Sequence, residues 1–242
     1  MMYPYLVGIL ILFVVWGILF LTRKDLRKPM VWTGILYTLL LTLGFFAWWI
    51  ISQFMYAGLP LIPYYWNPET LFNLGRITGG LAIEDILFMF FVGGIATSLY
   101  EFAFGKRIKI KRSYKPHLRV LIISGAIAFI FVLTETFHNI SLIYLLIIPS
   151  LVGAFVLWFE RKDLFKHSLI GAVIFLVIYS FAFQFFNILF PNFIHDFYTL
   201  HNLSGIILYG LPLEEYFYAF SFGLMWAPLY EYAHGEKDTK SK

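Results

Sequence analysis

Two runs of residues in this chain pair adjacent acids inside apolar surroundings. Gly210-Leu211-Pro212-Leu213-Glu214-Glu215-Tyr216-Phe217-Tyr218-Ala219-Phe220 carries Glu214 and Glu215, and Gly80-Leu81-Ala82-Ile83-Glu84-Asp85-Ile86-Leu87-Phe88-Met89-Phe90 carries Glu84 and Asp85. Glu214 falls ten residues into the apolar stretch that contains it, about 15 Å at the helical rise, which is near the centre of a bilayer. A charged carboxylate there costs about 2.5–3.5 kcal/mol even on a mild insertion scale. Four acids face that cost, and no Lys or Arg lies at comparable depth in the sequence. Desolvation disfavours the charged form, so some of the four are expected to carry a proton at neutral pH. A neutral carboxylic acid in a dry aromatic pocket can donate that proton, and an adjacent carboxylate can take one back. Consecutive helical residues point about 100° apart, so one acid of each pair is expected to face the pocket and its neighbour to support it.

A buried, protonated Glu can also do no more than hydrogen-bond a neighbouring helix. Two acid pairs at corresponding places weigh against that reading. The aromatics that follow the acids, Tyr216, Phe217, Tyr218 and Phe220 with Phe88, Phe90 and Phe91, mostly suit packing and lipid contact. Tyr216, Tyr218, Phe220, Phe88 and Phe90 are the candidates for lining a substrate pocket, where ring faces stabilise a cation. Pro212 is expected to kink its helix one turn before the acids.

The elements that position these residues follow from composition. Of 242 residues, 60% are hydrophobic and 13% charged, too little polar surface for a soluble domain of this length. A membrane-crossing helix needs about 20 apolar residues. Seven stretches qualify, at roughly 3–21, 30–52, 77–100, 118–136, 141–159, 167–190 and 204–230. The first reads as a retained helix, because Arg23-Lys24 follow it instead of preceding it. With seven spans, seventeen of the eighteen Lys and Arg residues fall on one side, and only Arg76 falls on the other. The N-terminus is therefore expected outside and the C-terminus in the cytoplasm. That placement ties the net charge of +4 to membrane topology and leaves no reason to invoke nucleic acid.

The chain also repeats itself. Arg23-Lys24-Asp25-Leu26 recurs as Arg161-Lys162-Asp163-Leu164, and Tyr100-Glu101-Phe102-Ala103-Phe104-Gly105 as Tyr230-Glu231-Tyr232-Ala233-His234-Gly235. Between residues 80 and 105 a shift of 130 gives ten identities in 26 positions. The expected fold is an all-α membrane protein of seven transmembrane helices. Residues 1–107 form a first three-helix repeat, 108–138 a basic loop and connector helix, and 139–242 a second repeat. Three helices and a connector return the chain to its starting side, so the repeats are parallel, about an axis along the membrane normal. The two acid pairs can then face each other at similar depth.

Several chemistries are excluded or disfavoured. There is no cysteine, which removes thiolate nucleophiles, iron–sulfur clusters and cysteine zinc sites. No intramembrane Lys is available for a retinal Schiff base, no helix interior offers a His suited to haem, and no Gly-x-Gly-x-x-Gly announces a flavin or nicotinamide. Glu101 and Glu231 close their helices at the cytoplasmic interface, where capping or snorkelling is the ordinary role. Glu135, His138 and Asn139, with His195, Asp196, His201 and Asn202, match no familiar metal cage. Neither a cofactor nor a metal is expected.

Pro212-Leu213-Glu214-Glu215-Tyr216-Phe217-Tyr218, its counterpart Ile83-Glu84-Asp85-Ile86-Leu87-Phe88, and Trp66-Asn67-Pro68-Glu69 together resemble the integral-membrane lycopene β-cyclases, in the fused form of their two-subunit type. Ala82 stands where that family often has proline. The resemblance covers essentially the whole chain. It implies a redox-neutral isomerisation in which a carboxylic acid protonates C2 of lycopene and a carboxylate removes a proton from C6, closing a β-ionone ring. It also implies a C40 carotenoid substrate that enters from the bilayer. The alternative from another class is a proton-coupled transporter or ion pathway through the same acids. Sparse polar pore-lining residues and crowded aromatics favour the cyclase.

Overall fold

A computed structural model describes residues 3–55, 65–104, 111–112, 118–138 and 141–237. Lys106, Arg107, Lys109 and Lys115 of the basic loop, with Asn139, Lys240 and Lys242, lie outside the described residues. The chain is predominantly helical. The main helices are α1 (Pro4–Thr22), α2 (Arg27–Met55), α3 (Ile83–Ala96), α4 (Leu99–Ala103), α5 (Arg119–His138), α6 (Leu142–Glu160), α7 (Phe165–Leu189), α8 (Leu213–Trp226) and α9 (Leu229–His234). Among the described residues, four helical segments are long and apolar enough to cross a membrane: Pro4–Thr22, Lys24–Ile50, Ile143–Glu160 and Lys162–Leu189. Phe159, Phe181 and Ile188 on these segments are 86%, 73% and 76% exposed. Such large apolar side chains turned outward suit a lipid solvent and would be a liability in water.

α3 packs against α1 and α2, and α8 packs against α6 and α7. α5 lies on α6 and reaches α2. Small residues permit these close crossings. A Cβ added at Gly223 of α8 would stand 2.5 Å from Ala172 Cα of α7, and one added at Gly34 of α2 would stand 2.6 Å from the Phe90 carbonyl of α3.

The Arg-Lys-Asp-Leu sequences adopt the same local structure, a single 3-10 turn at Lys24–Leu26 and again at Lys162–Leu164. Arg23 forks onto Asp25 and donates to the Glu101 carbonyl at 3.0 Å. Arg161 forks onto Asp163 and donates to the Glu231 carbonyl at 3.5 Å. Each clasp ties the α1–α2 or α6–α7 corner to the short helix that follows α3 or α8. A guanidinium satisfies both partners at once because its donors form a planar fork.

The third and seventh stretches depart from expectation. α3 begins at Ile83 instead of 77, and α8 begins at Leu213 instead of 204. Residues 206–212 form a hairpin in which Ile207–Leu208 pairs with Leu211–Pro212. Its two-residue turn has Tyr209 at φ 47° and Gly210 at φ 75°, a combination that glycine makes accessible. Pro212 occupies the cap position ahead of α8 (φ −54°, ψ 141°), so it starts the helix and does not kink it. The unbroken apolar run from Ile206 to Leu213 hid this turn, because hydropathy does not distinguish a short apolar hairpin from helix.

Candidate active site

The helix starts decide where the acids lie. Glu84 and Asp85 sit in the first turn of α3, and Glu214 and Glu215 in the first turn of α8. The expected place of Glu214, ten residues into its helix, is therefore corrected. The Tyr5 hydroxyl, from the second residue of α1, donates to Asp85 Oδ1 at 2.5 Å. The acids stand level with the end of that helix, at the end of the bundle away from the arginine clasps. A first turn also offers backbone N–H groups with no helical partner. Asp85 Oδ2 takes one of these, the N–H of Ala82 at 2.8 Å.

The inner and outer members of each pair have distinct environments that correspond between the halves. Glu84 accepts the Leu71 N–H at 2.6 Å. Glu214 accepts the Ser204 N–H at 2.7 Å and the Tyr144 hydroxyl at 3.1 Å. In both residues Oε1 takes these bonds while Oε2 is buried without a hydrogen-bond partner. The loop that presents Leu71 is held in an uncommon conformation, with Phe72 at φ 55° and Asn73 at φ 56°. Asp85 and Glu215 instead have both carboxylate oxygens engaged, Asp85 by the Tyr5 hydroxyl and the Ala82 N–H and Glu215 by two phenolic hydroxyls.

Glu215 takes the most side-chain hydrogen bonds of the four acids. It is 2% exposed, Tyr65 donates to its Oε1, and Tyr179 donates to its Oε2 at 2.5 Å. The Tyr198 hydroxyl sits beside the same carboxylate. Tyr65 precedes α3, Tyr179 belongs to α7 and Tyr198 precedes α8, so three separate segments converge on one side chain. Tyr65 and Tyr198 meet edge to face with ring centres 5.5 Å apart. A bridge between Trp66 and Tyr198, with the Asn67 N–H on the Phe197 carbonyl at 2.8 Å, fastens the two loops together. Asp85 and Glu215 do not face each other directly. Rings run between them, from Tyr5 to Trp66 at 5.5 Å and from Trp66 to Tyr198 at 4.7 Å.

The aromatic candidates divide. Tyr218 is buried, and its hydroxyl is 3.2 Å from that of Tyr37, which extends the phenolic network inward. Phe220 and Phe88 pack on the core, and Phe90 lies against Trp16 at 5.5 Å. Tyr216 donates to the Leu208 carbonyl at 2.9 Å and so braces the hairpin. Sequence reasoning missed Tyr5, Tyr65, Tyr144, Tyr179 and Tyr198. Tyr65 adjoins the Trp66-Asn67-Pro68-Glu69 run, and that adjacency was the available signal.

Long apolar helices closing over tyrosine-held carboxylates define a helical membrane protein with an enclosed acid site. The chain belongs to the lycopene cyclase family, whose profile matches residues 3–103 and 141–233. The two matched segments fall on the two sets of three packed helices, and the membership supports carotenoid cyclisation as the general activity. No curated protein and no solved structure matches the chain.

Proposed function

We propose that this protein is a redox-neutral lycopene β-cyclase that works within the membrane. Seven spans are arranged as two parallel repeats, residues 1–107 and 139–242, joined by the connector at 108–138. The short α3 and α8 count as spans together with α4 and α9. The N-terminus lies outside with the acid site toward that face of the membrane, and the arginine clasps and C-terminus lie at the cytoplasmic face. The lipid bilayer delivers the C40 substrate.

The observation that carries this reading is the Glu215 carboxylate, buried and held by Tyr65 and Tyr179 at the junction of the two family-matched segments. Beside it, Glu214 has one oxygen engaged and the other buried without a partner. Glu214 Oε2 is therefore the atom to carry the transferable proton. It passes that proton to C2 of the terminal 1,2 double bond, leaving a cation at C1. The 5,6 double bond attacks C1, forming the ring bond between C1 and C6 and moving the positive charge to C5. Loss of the C6 proton to a carboxylate restores a double bond and gives the β-ionone ring. No electrons enter or leave. Glu215, fixed by phenols, offers a negative charge that need not reorganise as the cation forms. The surrounding rings add cation–π stabilisation and exclude water. Glu84 has the same half-engaged carboxyl and is the corresponding donor of the first half, with Asp85 as its neighbour.

The test is cyclisation of lycopene by purified protein in D2O. In the first turnover of protein equilibrated in D2O, protonation at C2 places one deuterium in each ring formed, and first-turnover rings without deuterium rule out acid initiation.

A further inference from the structure

At the opposite end of the bundle a second polar cluster forms that the cyclisation does not use. Glu101 of α4, His167 in the first turn of α7 and Glu231 of α9 bring one ligand atom each to within 4.8 Å of one another. His167 is 8% exposed, and its Nε2 is buried without a hydrogen-bond partner. That nitrogen lies 3.7 Å from Glu101 Oε1, too far for a hydrogen bond. Tyr100 stacks on the imidazole, with ring centres 4.2 Å apart and planes 22° from parallel, and holds its orientation. A buried donor or acceptor left unsatisfied destabilises the fold. His167 Nε2 stands within reach of both carboxylates, and a cation held between them would give that nitrogen a partner.

We propose that Glu101, His167 and Glu231 bind a divalent first-row transition metal that joins the first half of the chain to the second. One imidazole nitrogen and two carboxylate oxygens suit zinc, manganese or iron(II). A cation centred among ligand atoms 4.8 Å apart lies at most about 2.8 Å from each, and small rotamer changes bring it to the roughly 2.0–2.2 Å of zinc coordination. Glu101 comes from the first family-matched segment, and His167 and Glu231 from the second. The site is structural. Sixteen residues of helix and turn, roughly 24 Å at the helical rise, separate Asp85 from Glu101.

Full-length protein in detergent, stripped with EDTA and reloaded with Zn2+, is assayed for retained metal after desalting and for its melting temperature. Wild type retains about one Zn2+ per chain and melts higher when loaded, since a ligand that binds only the folded state stabilises it. His167→Ala and Glu231→Gln retain none and melt alike with and without Zn2+. Co2+ in wild type gives visible ligand-field bands that depend on His167, a readout available even if one variant folds poorly. Wild type that retains no ion and does not shift, or Zn2+ retained undiminished by both variants, overturns the site.

Discussion

Tyr65, from the loop ahead of α3, donates its hydroxyl to Glu215 in the first turn of α8, so a residue of the first half completes the acid site of the second. Removing a hydrogen bond to a charged group costs about 1.5–3 kcal/mol. Tyr65→Phe should therefore slow β-ring formation roughly 10- to 150-fold at tenfold per 1.36 kcal/mol, with the protein still inserted. Ring formation at the wild-type rate would mean that the bond does not serve the chemistry. The comparison is single-turnover conversion of lycopene by the two proteins at equal concentration.

The half-engaged carboxyl of Glu214 leads to a different expectation. Ser204 supplies its N–H at 2.7 Å and also places its hydroxyl beside the carboxylate, so Ser204→Ala keeps the shorter N–H bond and should cost less than Tyr144→Phe. Tyr144→Phe removes a phenolic bond at 3.1 Å and should cost about tenfold or less, in keeping with a single neutral hydrogen bond. A larger loss in Ser204→Ala than in Tyr144→Phe would contradict the assignment.

Close helix crossings set the stability of the fold. Gly223→Ala places a methyl 2.5 Å from Ala172 Cα, a backbone atom that cannot swing away, and should destabilise by about 1–3 kcal/mol. Gly17→Ala meets nothing within 4 Å and exchanges a poor helix former for a good one. Its melting temperature should equal or exceed that of wild type, whereas Gly223→Ala should melt several degrees lower.

Orientation is open to direct labelling, because the chain contains no cysteine. Lys24 and Arg76 are both exposed, and the proposed topology puts them on opposite sides. Arg76→Cys should react with a membrane-impermeant maleimide in whole cells, and Lys24→Cys only after permeabilisation. The reverse pattern would invert the protein in the membrane.

How far the sequence could be read depended on the signal each feature leaves. Spans one, two, five and six were visible to within a few residues because long apolar runs bounded by Arg23, Arg161 and their neighbours have no competing interpretation. The paired Arg-Lys-Asp-Leu corners were legible because identical residues build identical turns. The place of the acids along their helix was not legible, since Gly210 and Pro212 mark a turn and a helix start that hydropathy averages away. The tyrosine cage was hidden for another reason. Tyr5, Tyr65, Tyr179 and Tyr198 converge only through tertiary packing, and in sequence each resembles an ordinary interfacial aromatic.

The central claim is that the adjacent acids of α8 perform the cyclisation. Glu214→Gln and Glu215→Gln keep the shape of the side chain, exchange one acceptor oxygen for an NH2 group, and can neither donate nor accept the proton. Each variant is expressed in lycopene-accumulating cells, and the pigments are separated and quantified against the amount of membrane-inserted protein. Both variants should insert at the wild-type level and leave lycopene uncyclised. β-Ring carotenoids at wild-type levels in either variant would contradict that residue's role, and in both would refute the site.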